Sequence, residues 1–290
     1  MKKLAVIGIG ISAATVVLYA GMNIYATKTA EARINEFVVE VEDDLIIEYG
    51  SVSASPFRSN VTVKNVSIVP INAQQEGVTV DQVVIRKFDH EADFVTALDA
   101  SMKGIQFIGN PVDDVPILLP SMQQAGYEDP VVFDLDTQFE YKKSSQEATL
   151  EKFRIGSDQV GYLEVTLKVS NFDPSVAANP DLTLHAAKIV YQDHSFAENL
   201  LASMAAESNQ EVGEVKTQLA TTLSETAQLF ISPDDPASAK VLQETMAFIE
   251  NPKGFSIVAN PSQPLLVSDL AAAGSPQSWI TMLNLEIEAH

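Results

Sequence analysis

Val61-Thr62-Val63-Lys64-Asn65-Val66-Ser67-Ile68 and Val78-Thr79-Val80-Asp81-Gln82-Val83-Val84-Ile85 place apolar residues at their first, third, sixth and eighth positions. Leu182-Thr183-Leu184-His185-Ala186-Ala187-Lys188-Ile189 repeats that order. Alternation with period two reads as a strand with one buried face, because successive side chains point to opposite sides. Here the alternation slips by one in the middle. An uncompensated slip turns the second half of the strand inside out, so the pattern predicts a β-bulge in each segment and bent or twisted antiparallel strands.

Working outward, the second and third copies share the exits Asp89-His90 and Asp193-His194. Phe94-Val95-Leu98 follows one and Phe196-Leu200-Leu201-Met204 the other, both at helical spacing, which predicts a partly duplicated strand-to-helix unit. Between them Val131 to Glu140, Ala148 to Ile155 and Tyr162 to Ser170 read as three antiparallel strands with polar turns. Upstream, Leu45 to Tyr49 alternates, and Ile34, Phe37, Val38 and Val41 fall on one face of an amphipathic helix. Downstream, Val212, Val215, Leu219, Leu223 and Phe230 form a helical stripe. Asp235 fits an N-cap with Pro236 at the first helical position, opening a helix to Asn251-Pro252. Phe255 to Ala259 and Met282 to Ile287 return to strand. The fold class is α+β, a bent antiparallel sheet packed with amphipathic helices.

Ahead of all this lies Leu4 to Tyr25, an uncharged run preceded by Lys2 and Lys3. Such a run makes a helix of about 33 Å, enough to cross a hydrocarbon core of about 30 Å. A cleavable signal peptide is the competing reading, but the first small-x-small site, Ala30-Glu31-Ala32, lies well past the apolar stretch. The expectation is therefore a single transmembrane anchor contacting the membrane through Leu4 to Tyr25. The basic N-terminus stays in the cytoplasm, and the bulk of the chain is exported. Residues 1–28 are then tail and anchor, 29–173 a β-rich region, and 174–290 an α+β region.

The 290 residues carry a formal charge of -21 and no cysteine, and 46% of them are apolar. The charge argues against nucleic acid or anionic headgroups as partners, since carboxylates repel phosphate. The missing thiols remove disulfides, thiolate catalysis and cysteine metal sites. His90, in Asp89-His90-Glu91-Ala92-Asp93, collects potential metal ligands, but the spacing matches neither a zinc nor a calcium signature, and Asp89 reads as the cap of a following helix. His185 and His194 lie in no catalytic pattern, and His290 is expected to fray. Asp134 and Asp136 share a strand face that alternation assigns to solvent. Trp279 reads as a core or edge anchor. Two sequons, Asn60-Val61-Thr62 and Asn65-Val66-Ser67, fall in one strand. No catalytic residue, cofactor site or metal site emerges, so the reading is of a chain that is not an enzyme.

The short tail, single membrane helix and amphipathic continuation lead into Ile46-Ile47-Glu48-Tyr49-Gly50-Ser51-Val52-Ser53-Ala54-Ser55 and then Val61 to Ile68. This order resembles the entry region of AsmA-like and related bacterial inner-membrane proteins. The resemblance implies an inner-membrane anchor with a periplasmic domain, and larger members of that group build β-grooves that hold lipid acyl chains. This chain departs from them in being short and in its helical C-terminal part. The expected function is that of a non-enzymatic, membrane-anchored envelope scaffold or assembly factor. The alternative is binding or transfer of a lipid or other hydrophobic ligand in a β-groove.

Overall fold

The computed structural model describes residues 31–290 apart from 33, 36–37, 40–41, 43, 56–59, 72–76, 92–93, 109–121, 128–129, 175, 177–178 and 229–234. The expected anchor, Leu4 to Tyr25, lies outside the described residues. Among the described residues no helix is long and apolar enough to cross a membrane. What is described is α+β, with antiparallel strands and several helices. The chain packs into two compact units. One holds the residues up to Phe139 except Gln124–Gly126, and the other holds those three and Glu140–His290.

In the first unit β1 (Leu45–Glu48), β3 (Asn60–Pro70), β4 (Gly77–Glu91) and β5 (Phe94–Ile108) lie side by side, with β2 (Ser51–Ser55) also on β3. The next strand, β6 (Phe133–Lys142), begins here, with Phe133 against Phe107. The stretch before β1 is helical at 31–32, 34–35 and 38–39. Its Ile34 is buried, and Tyr49 Oη donates to Asn35 Oδ1 at 2.7 Å. All eight apolar positions of the first two strand copies are buried, and Val63 and Ile68 are only 0% and 1% exposed.

The slip in these copies is made differently from the expected bulge. Lys64 faces Gln82 and Val66 faces Val80, so the register is unchanged and no residue is inserted. Asn65 instead adopts φ 54, in the left-handed region, at the position facing Asp81. Both side chains stay exposed. One strand further, Gly104 adopts φ +70 opposite Asp81, and its N–H donates to Asp134 Oδ1 at 3.0 Å. Three neighbouring strands thus break alternation at the same level, which returns apolar residues to the core on both sides of the break. A true bulge follows at Arg86, whose guanidinium bonds Asp99 Oδ1 and Ser101 Oγ at 2.9 Å each.

The exit of the second copy corrects the sequence reading. Phe94, Val95 and Leu98 belong to β5, which pairs back onto β4 with His90 opposite Val95 and Asp89 opposite Ala97. Asp89 therefore caps no helix, and the expected strand-to-helix unit does not form after the second copy.

In the second unit the order is β7 (Glu147–Ser157), β8 (Gly161–Ser170), β9 (Thr183–Asp193), β10 (Gly254–Ala259) and β12 (Leu285–Ala289), with β11 (Leu265–Leu266) also on β9. Between β9 and β10 come α1 (Phe196–Ser208), α2 (Val212–Gln228) and α3 (Pro236–Glu250). Phe230, expected in the α2 stripe, lies outside the described residues. Between β11 and β12 come α4 (Val267–Ala272) and α5 (Pro276–Met282), so Met282 ends a helix instead of starting the closing strand. Asp193 Oδ1 accepts from Ala197 N at 2.9 Å and opens α1. Leu201 and Ala205 of α1 pack on Val215 of α2.

Replacing Gly104 by alanine tests the break in alternation. A Cβ there would sit 2.2 Å from Asp81 Oδ2, on a backbone that non-glycine residues adopt at a cost. Urea unfolding of Gly104→Ala should show a loss of about 1–3 kcal/mol. An unchanged midpoint would mean that Asp81 moves aside freely.

Candidate functional site

Antiparallel register fixes which side chains share a face. In the second unit Phe153 faces Val165 and Ile155 faces Leu163 across β7 and β8, Val165 faces Ile189 across β8 and β9, and Ile189 faces Ile257 across β9 and β10. These residues line one side of the sheet. The other side carries Arg154, Glu164, Lys188 and Glu288. Two bulges keep that separation. One lies between Leu150 and Phe153, and the other is at His185, where Lys168 faces Ala186 but Val169 faces Leu184. The second falls within the slip of the third strand copy.

This apolar face is not closed. Leu163 and Ile189 lie on the interior strands β8 and β9 and are 37% and 36% exposed, while Phe153, Ile155, Val165 and Ile257 are half-buried. Fully burying one such side chain contributes about 1.5–3 kcal/mol, so six half-covered residues leave burial worth roughly 5 kcal/mol unrealised.

Helix α3 is tied to one margin of the face. Glu244 Oε2 accepts from Ala289 N at 2.9 Å, tying the helix to β12 at the end of the strand order. Phe248 then lies edge-on to Phe255, with centroids 5.1 Å apart, and to Tyr191 at 6.2 Å. The start of α3 follows the sequence reading. Asp235 precedes Pro236 and accepts from Ser238 Oγ at 2.6 Å and Ser238 N at 3.0 Å. These two bonds, the hydroxyl's foremost, hold the Asp235 carboxyl below the usual carboxylate range.

The histidines do not assemble a reaction centre. His90 sits at the end of β4 near Phe88, and Ala92 and Asp93 lie outside the described residues. Among the described residues no three His, Cys, Asp or Glu side chains converge as metal ligands. Sequence reasoning missed the contact between His185 Nε2 and Ser170 Oγ at 2.7 Å, which the bulge on β9 creates. That pair matches the nucleophile and base of a hydrolytic site, but among the described residues no carboxylate orients the ring from its other nitrogen. Asp193, His194 and Ser195 are adjacent yet turn to separate partners. His194 Nδ1 donates to Asp158 O, Ser195 Oγ donates to Gln159 O, and Tyr191 donates to Asp193.

His290, expected to fray, has its N–H donating to Gly254 O at 2.9 Å. Trp279 is exposed on α5, and its Nε1 donates to Leu270 O at 2.7 Å, joining α5 to α4 instead of entering a core. Asp134 is on the solvent side, as alternation requires.

A family model described as "Uncharacterized protein" matches residues 154–290, a stretch that begins inside β7 and includes most of the open apolar face. No curated protein matches the chain.

Removing the Asp235 cap should lower the urea midpoint at neutral pH, because the bound form of the carboxyl is the ionised one. A depressed folded-state pKa stabilises above the unfolded carboxyl range near 3.9, and that contribution is lost as pH falls through the folded value. The difference between wild type and Asp235→Ala should therefore shrink in acid. A difference that persists there would assign the effect to something other than the charged cap.

Proposed function

We propose that the chain is a membrane-anchored envelope scaffold without catalytic activity of its own. In this reading Leu4 to Tyr25 hold it in the inner membrane with the N-terminus in the cytoplasm, and the folded units lie in the periplasm. The open face of the second unit then receives an apolar helix from a partner protein. The observation that carries the reading is the exposure of Leu163 and Ile189 on interior strands of that sheet. Contiguous apolar surface of this kind marks interaction sites in soluble domains.

A helix suits the face in size. From β7 to β10 are three strand spacings, about 14 Å, and a helix with its side chains is about 10–12 Å across. The chain itself supplies the precedent, since Phe248 of α3 is seated on this face between Tyr191 and Phe255. A lipid acyl chain is the other occupant that the resemblance to AsmA-like proteins implies, and the same experiment tells the two apart.

The test places a photo-crosslinking residue at position 163 or 189 of the full chain in cells, with Thr166 on the opposite face as control. The expected product is a protein adduct at 163 and 189 and none at 166. Glu at the other position of the pair should abolish the adduct while changing stability by less than about 1 kcal/mol, since both residues are partly exposed. Adducts to lipid alone would overturn the partner reading in favour of the lipid one, and no adduct at either position would sink both. A phosphatase fused after His290 should be active outside the cytoplasm, and activity inside it would reverse the orientation.

A further inference from the structure

Separate from the open sheet face, α2 and α3 enclose a groove of about 1090 Å³. Its α2 wall includes the small residues Gly213, Thr217, Ala220 and Ser224, and its α3 wall includes Leu242, Gln243 and Met246. The hydroxyls of Thr217, Thr221 and Ser238 are spent locally. Thr217 Oγ1 donates to Gly213 O and Thr221 Oγ1 to Thr217 O, both at 2.8 Å, and the fully buried Ser238 donates to Asp235. Such walls offer a ligand mainly dispersion contacts, with Ser224 and Gln243 as polar groups among them, and Met246, 37% exposed, is a side chain that adapts to irregular apolar partners.

Three charged residues line the groove. Lys216 is a cation, but its Nζ donates at 2.8 Å to Glu250 O in the last turn of α3, so it joins the two helices. Glu225 and Glu250 are exposed carboxylates with no ion pair or hydrogen bond to either side chain among the described residues. Because Lys216 reaches Glu250, Glu225 stands nine positions away along α2, roughly 14 Å of helix axis. The groove is therefore mostly apolar between its ends, with a bare carboxylate towards each.

We propose that this groove binds a basic amphipathic helix of a partner protein, with an apolar face along the walls and a Lys or Arg at each end on Glu225 and Glu250. A net charge of -21 draws such a helix in and repels an acidic one. An anionic amphiphile would meet two carboxylates and a lysine already engaged, which disfavours it. Small residues on α2 allow the incoming backbone to approach closely, and apolar anchors at helical spacing complete the fit.

The experiment uses the full chain in zwitterionic nanodiscs, with empty nanodiscs as control, and two fluorescent helical peptides. They share one Leu/Ala face and differ only in carrying Lys or Glu at two positions nine apart. Anisotropy should show the Lys peptide binding and the Glu peptide at least tenfold weaker. Glu225→Gln with Glu250→Gln should weaken the Lys peptide about three- to tenfold and flatten its salt dependence, as two exposed ion pairs allow. Ala220→Trp, which fills the groove, should abolish binding with the circular dichroism unchanged. Equal binding of the two peptides, no binding of either, or a double Gln variant with unaltered affinity and salt slope would each overturn the proposal. Leu163→Glu should leave peptide binding intact, which keeps this groove distinguishable from the sheet face.

Discussion

Side chains alternate across a β-strand with a period of two, and everything else in this protein is arranged around the places where that period is broken. A single strand that slips by one residue exposes half its apolar side chains. The break is tolerable only when neighbouring strands make it together or when one of them takes up an extra residue. The first unit uses the former solution. Asn65, Asp81 and Gly104 lie level on three adjacent strands, two of them with left-handed backbone, and the pairing register passes through unchanged. The second unit uses the latter, with one bulge on β7 and another at His185 on β9.

The two solutions lead to different surfaces. Where three strands turn over at one level, Val63, Val66, Ile68 and Val83 end up almost fully buried, and the conformational cost of the left-handed residues is offset by that core. Where each bulge serves one strand pair, the sheet keeps a largely apolar side, and α3, fastened at the β12 margin by Glu244, seats Phe248 on it. Helices α1 and α2 bury Leu201, Ala205 and Val215 against each other. Leu163 and Ile189 stay half-covered.

Much of this was legible in the sequence, and the misses have physical causes. The first two strand copies, the N-cap at Asp235 and the solvent side of Asp134 follow from periodicity and capping chemistry alone. Phe94-Val95-Thr96-Ala97-Leu98 reads as a helix because residues four apart satisfy a helix stripe and a strand face equally, and pairing with β4, a non-local interaction, decides for the strand. The slip in the pattern located Asn65, but whether a bulge or a left-handed residue absorbs it depends on the neighbouring strand. Alternation likewise names the apolar face of the second unit without saying what covers it. The contact of His185 with Ser170 and the reach of Lys216 to Glu250 join residues that no local pattern connects.

The charge of the chain bears directly on how an open apolar face persists. Half-covered Leu, Ile and Val side chains on a sheet promote self-association, because two such faces gain by burying one another. Two copies of this chain each bring a charge of -21 to that encounter, and at low ionic strength the repulsion acts before the faces meet. A partner bearing cations experiences the opposite field, so it is drawn in from a distance at which another copy is turned away. Burial then acts at contact, where the apolar face and the α2–α3 groove supply area but little discrimination of their own. Selectivity in such an arrangement comes from the sign of the charge and holding strength from the apolar area, which is how a surface can stay open without joining to itself.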